Sequence, residues 1–248
     1  GPGAAQAVAG AHRGEGGGQA SGGSRPARWV LLVEEIHQPA GKRSRVVPDH
    51  ERGAGRDAGL LSARMVRRFI DEQRTLLPSV PASWRIEDYR AAMRILSFAG
   101  HAYVWEVPDQ PASTLPPQLA QPWHQIAKHL GRPPVLSYAS YALDNWRRLD
   151  PAKPVRLDNI VLLQNFLGGL DEEWFVVVHI QIEREAGPGL AGLVQALNSA
   201  VADKADDTLL GLASLARAQE AIRDTLLRMK ERCDPYVWVR LECQGSSA

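Results

Sequence analysis

Two cysteines in 248 residues, Cys233 and Cys243, are too few for a disulfide framework, and neither stands at a CxxC or Cys/His spacing that would hold zinc. That usage fits a reducing cytoplasm. Charge of one sign is also lacking: 29 basic residues against 28 acidic ones leave a formal net charge of +1, so no global field draws the chain to nucleic acid or to an acidic membrane surface. No apolar run reaches the roughly 18 to 20 residues that a bilayer span needs, and the N-terminus has no signal-peptide core. Neither nucleic acid nor membrane is an expected partner. GxSxG, P-loop and HExxH patterns do not occur, which removes the usual hydrolase, kinase and zinc-protease signals. None of the seven histidines pair three or four residues apart, the spacing at which one helix face holds a metal. His124 and His129, five apart, read as surface residues, and His101 in SFAGHAY as helix packing.

What remains is enough for a core: 44% of the residues are apolar. Residues 1–28 are Gly-, Ala-, Ser- and Arg-rich and bury too little to offset the entropy of ordering, so disorder is expected there. Trp29 to Ile36 reads as a short strand or helical turn, and the fold is expected to begin near Ala58. The chain opens on Gly rather than Met, as a fragment or processed form would. Beyond Ala58 the periodicity is helical. Stripes run from Leu60 to Ile70 and from Ile86 to Tyr103, and a third helix spans Leu119 to Leu130 with Gly131 as its cap. Pro133 and Pro134 suit the start of a helix over LSYASYALDNWRRL, and Leu157 to Leu167 reads as a helix closed by Gly168 and Gly169. Leu190 to Val201 reads as a further helix. A long one follows from Thr208 to Arg232, with Leu212, Leu215, Ala216, Gln219, Ile222, Leu226 and Met229 as its inner stripe. The expected fold class is an all-α helical bundle.

The stretch Asp171 to Glu183, DEEWFVVVHIQIE, sets one histidine, His179, in a β-branched apolar run. Propensity leaves helix and strand nearly even there. If it is helical, Phe175, Val178, His179 and Ile182 share a face. The imidazole is then either a satisfied core group or the polar contact of an apolar pocket. Tyr138, Tyr141 and Ala142, at i, i+3 and i+4, put two phenol rings and a small residue on one side of a second segment, which alone reads as core packing or as a ligand wall.

Four segments together resemble the indoleamine 2,3-dioxygenase family: SFAGHAYVW (97–105), LPPQLAQPWHQIAKHLGRPPVLSYASYALDNWRRLDP (115–151), NIVLLQNFLGGLDEEWFVVVHIQIE (159–183) and RMKERCDPYVW (228–238). The resemblance covers about residues 58–239. It implies a helix over 172–185, a small helical domain over 58–155, and the first part of a haem-binding helical domain over 156–239 that is incomplete here. Residues 1–57 and 240–248 fall outside it. The implied activity is haem-dependent opening of the indole ring of L-tryptophan by O2 to N-formylkynurenine, with haem b as cofactor and O2 as co-substrate. Tyr138, Tyr141 and Ala142 match positions lining the distal indole pocket, and Phe175 matches the aromatic against the substrate ring. His179 matches a distal position that is histidine in some members, where it would accept the indole N–H.

Two family positions are not met. The proximal haem histidine lies far downstream in the family, and no histidine follows His179 here; the substrate-carboxylate arginine falls in register near Cys243, with Arg240 out of register beside it. A second reading is therefore a non-catalytic helical module derived from the family, and a third a related indole-modifying haem enzyme. The inner faces of Phe175 to Ile182 and Leu209 to Met229 are expected to lack partners, which favours self-association.

Overall fold

The computed structural model describes residues 60–236 apart from 62, 74–75, 78–79 and 81–82. The expectations for residues 1–57, for Trp29 to Ile36, and for Arg240, Cys243 and the tail lie outside the described residues. Helices dominate: α1 (Val66–Asp71), α2 (Ile86–Trp105), α3 (Pro117–Leu130), α4 (Leu170–Val201) and α5 (Ala205–Leu227). Between α3 and α4 come a π-helical turn (Ala139–Leu143) and two short strands, β1 (Trp146–Arg148) and β2 (Ile160–Leu162), and a 3-10 turn (Arg228–Glu231) follows α5.

Local chemistry accounts for the helix ends. The Asp88 carboxylate accepts the Arg85 N–H at 3.0 Å and so caps α2. Gly131, at φ 63°, closes α3: its N–H reaches the Lys128 carbonyl at 3.2 Å and the Arg132 N–H reaches Ala127 at 3.0 Å, the paired bonds of a Schellman cap. Asp171, Glu172 and Glu173 occupy the first turn of α4, where the helix dipole favours negative charge.

Two apolar clusters carry the packing. One gathers Val66, Ile70, Met93, Leu96, Leu119, Trp123 and Ile126 from α1, α2 and α3. A Cβ added to Gly100 would overlap the Trp123 ring, so the absence of a side chain there sets how closely α2 and α3 meet. The other gathers Ala142, Ile160, Leu162, Trp174, Val176, Val178, Ile180 and Cys233 around the first half of α4.

Four sequence expectations are corrected. Leu157 to Leu167 is not a helix: Ile160–Leu162 forms β2, antiparallel to β1 with Trp146 opposite Leu162 and Arg148 opposite Ile160. Asn159 interrupts the run, because its side-chain amide donates to the carbonyls of Asp150, Lys153 and Pro154 and fixes a loop there. The segment after Pro134 is likewise not one helix. It winds only through the π turn, and buried Asn145 then holds the strand pair by donating to the Tyr141 and Gln164 carbonyls and accepting the Gln164 N–H. Third, Leu190 to Val201 is no separate helix but the second half of α4, which runs unbroken through Pro188. An internal proline costs a helix about 3 kcal/mol; packing against α5 offsets it.

The fourth correction concerns which face of α5 is inward. Its buried residues are Gly211, Ala218 and Thr225, seven apart, whereas Leu212 and Leu226 of the expected stripe are exposed. The partner face of α4 is equally small: Gly189 lies against Ala218, and a Cβ on Gly192 would come within 2.7 Å of the Gly211 carbonyl. The two backbones nearly touch. The large side chains are displaced to the flank, where Leu190, Val194, Leu197, Leu209 and Leu212 are exposed.

Candidate functional site

Helical winding of 170–201 decides the tie at DEEWFVVVHIQIE. Val178 is fully buried, while Phe175, His179 and Ile182 lie half-buried along the flank. The same flank continues at steps of three or four residues through Ala186, Leu190, Leu193, Leu197 and Val201, so His179 is one polar group in an apolar ridge that runs the length of α4.

His179 is not free to rotate on that ridge. Its Nδ1 lies 2.7 Å from the Phe175 carbonyl oxygen, and a carbonyl can only accept, so Nδ1 carries the proton. In the neutral ring Nε2 is then the acceptor. The Phe175 ring stands 4.4 Å from the imidazole at 45°, which braces it from the N-terminal side. The arrangement presents one fixed hydrogen-bond acceptor next to an aromatic face.

The π turn supplies the second wall. The Tyr138 hydroxyl donates to Glu183 Oε1 at 3.0 Å, tying the turn to α4 one helical turn beyond His179. Burial, reinforced by the Glu183 carboxylate, pushes the Tyr138 phenol up to about 12. The neutral phenol is thus favoured by folding, and its contribution to stability is present below the ordinary value of 10.0 and lost as pH rises through about 12. Absorbance at 295 nm during alkaline titration is expected to show one late tyrosine that Tyr138→Phe removes; a titration unchanged by the substitution would break the Tyr138–Glu183 assignment.

Tyr141 is half-buried and packs against the same cluster as Phe175 and Ile182, and its ring lies 5.9 Å from Phe98 and 6.5 Å from Phe166. Ala142 is 1% exposed and sits in the core beneath the turn. The five sequence-selected residues therefore share one region: His179, Phe175, Tyr138 and Tyr141 at its surface and Ala142 behind them. Sequence reasoning missed Glu183 and Phe166. Glu183, four residues after His179, carried a legible signal in its helical spacing; Phe166, inside a segment read as helix, did not.

Among the described residues no three His, Cys, Asp or Glu side chains are grouped to hold a metal ion. His101 faces Phe166 and Trp105, and His124 and His129 are exposed as expected, the His129 ring stacking on Tyr89 at 3.6 Å. No helix of the described residues is long and apolar enough to cross a membrane.

The family model for indoleamine 2,3-dioxygenase matches residues 27–241. The chain belongs to the indoleamine 2,3-dioxygenase family. The match begins upstream of Ala58 and ends beyond Val239, so it reaches into both segments expected to fall outside the resemblance. Among similar proteins, indoleamine 2,3-dioxygenase 2 of Homo sapiens is 31% identical over 207 residues, covering 80% of this chain and 50% of its own length. Indoleamine 2,3-dioxygenase 1 of Rattus norvegicus is 33% identical across 71% of this chain and 43% of its own. Indoleamine 2,3-dioxygenase of Saccharomyces cerevisiae is 32% identical across 62% and 35%. The chain thus spans half or less of the length of these relatives. Its helical fold agrees with membership of this family of haem dioxygenases. Among the described residues an apolar ridge carries one oriented imidazole, that of His179, and no metal site is visible.

Proposed function

We propose that this chain forms the distal, substrate-facing wall of an indole-oxidising dioxygenase site. The observation that carries this is the His179 geometry: Nδ1 spent on the Phe175 carbonyl leaves Nε2 as an acceptor for an indole N–H, and Phe175 stands beside it to receive the ring. Offset aromatic contact adds about 0.5 to 1.5 kcal/mol beyond the burial itself. Tyr138 and Tyr141 flank the bound indole, and Ala142 supports the turn that presents them. Haem, when bound, supplies the activation of O2 for opening the ring of L-tryptophan to N-formylkynurenine. The residues of this chain bind the indole, orient it and exclude water. Two cysteines in the chain support a cytoplasmic setting, and the two core clusters support a small helical domain followed by the start of a larger one.

Calorimetric titration of the chain with L-tryptophan, with melting temperature followed in parallel, tests the assignment. His179→Ala removes one hydrogen bond of about 1 kcal/mol, so affinity is expected to fall roughly fivefold with little change in melting temperature. Unchanged affinity with a lowered melting temperature would make His179 a core residue. The exposed apolar ridge of α4 and α5 further supports self-association of the chain. Sedimentation velocity is expected to show a concentration-dependent dimer that Leu193→Glu with Leu197→Glu disperses; a wild-type monomer at every concentration would rule it out.

A further inference from the structure

Directly across α4 from His179 lies a cleft of about 810 Å³ between the β1–β2 loop, α4 and the 3-10 turn after α5. Trp174, Val177 and Gln181 line it, and since residues two or five apart lie well over a quarter-turn from one another on a helix, none of them faces the His179 ridge. Four guanidiniums border the cleft, those of Arg156, Arg184, Arg228 and Arg232, against the three carboxylates of Asp158, Glu173 and Glu185.

Two features make it more than a charged depression. First, two of the cations are held in place before any ligand arrives. The Arg232 and Arg228 guanidiniums lie 4.8 Å and 5.6 Å from the Trp174 ring centroid, and the Trp174 Nε1–H is fixed on the Arg228 carbonyl at 2.8 Å. Arg184 is spent on Glu185 and Arg228 on Glu231, but Arg156 and Arg232 form no ion pair among the described residues. Second, Gln181 is 8% exposed and its Oε1 has no hydrogen-bond partner among the described residues. Its amide cannot simply be turned over, because Nε2 already donates to the Glu185 carboxylate, which needs a donor. A buried acceptor left in this state is costly and calls for an N–H or O–H from outside the protein.

We propose that this cleft binds a small organic acid with an apolar body and a hydroxyl or amino donor next to its carboxylate. The carboxylate is received by Arg156 and Arg232, the donor by Gln181 Oε1, and the body by Leu157, Ile160 and Val177. The site is independent of the proposed indole wall, since it uses the other side of α4.

Titration calorimetry of the full chain with 3-phenyllactate tests this, with hydrocinnamate as the probe lacking the hydroxyl and phenethyl alcohol as the probe lacking the carboxylate. Saturable binding of 3-phenyllactate is expected, roughly five- to tenfold weaker for hydrocinnamate, and none for phenethyl alcohol. Arg232→Gln and Arg156→Gln, both at exposed positions, should each weaken 3-phenyllactate by about fivefold or more while circular dichroism stays unchanged. Gln181→Met should abolish the preference for the hydroxylated acid. Absence of saturable binding by 3-phenyllactate, binding indifferent to both arginine substitutions, or a hydroxyl preference that survives Gln181→Met would each overturn the proposal.

Discussion

Replacing Gly211 with valine is expected to lower the stability of the chain by about 2 to 4 kcal/mol, one of the two largest effects anticipated for a single substitution here. A Cβ at this position would stand 2.7 Å from the Ala196 nitrogen and 2.9 Å from the Ala196 Cβ. The obstacle is backbone, which cannot swing aside as a flexible side chain would. Helix propensity works in the opposite direction, since valine is favoured over glycine by only a few tenths of a kcal/mol, and cannot compensate. The helices must therefore separate, and Gly192 and Gly189 lose their close contacts as well. Thermal unfolding followed at 222 nm should show the midpoint falling by roughly 4 to 16 °C. Leu212→Ala, one residue away but 46% exposed, should change stability by no more than about 0.5 kcal/mol. Equal effects for the two substitutions would mean that α5 meets α4 through its leucines after all.

That contrast also shows which parts of the fold were legible in the sequence. Helices α2 and α3 were, because a long apolar stripe and a glycine cap agree with one another at Ile86 to Tyr103 and at Leu130–Gly131. The inward face of α5 was not. Large apolar residues are normally read as the buried side, but here glycine and alanine bring the helices together and the leucines stand on a flank that no described residue covers. The expectation of unpartnered apolar surface matches the exposure of Leu209, Leu212 and Leu226 but fails over Phe175 to Ile182, where Val176, Val177, Val178 and Ile180 are buried and Phe175 and Ile182 pack against them. The strand pair was illegible for another reason. Three-residue strands carry no alternation to detect, and what fixes them is long-range: Asn145 reaching Gln164, nineteen residues on. At the site, the residue types at Phe175 and His179 were legible, but the tautomer was not, since it depends on a backbone carbonyl whose direction only the helix sets.

Removing the buried Glu172 side chain is expected to cost about 3 kcal/mol, because three part-buried donors lose their acceptor together. Its carboxylate accepts the N–H groups of Phe166, Leu167 and Gly168 at 2.7, 3.0 and 2.9 Å, and it is the clasp by which α4 holds the loop that precedes it. Phe166 on that loop packs 4.6 Å from Phe98, so loosening the clasp also loosens the support of Tyr141. Chemical denaturation of Glu172→Ala should show the full loss, and Glu172→Gln an intermediate one, because its single carbonyl oxygen cannot accept three donors and its amide nitrogen would face one of them. Acidity provides a second readout. Burial pushes the Glu172 carboxyl above its ordinary value of 4.5, although the three amides pull it back. The folded chain then binds more protons than the unfolded one in the window above 4.5, so this group's contribution to stability rises as pH falls through its folded value and drops again as pH climbs. Wild type should therefore gain on Glu172→Gln when denaturation is repeated at progressively lower pH within that window. A difference that shrinks instead would mean that the three amides outweigh burial and hold the carboxylate ionised.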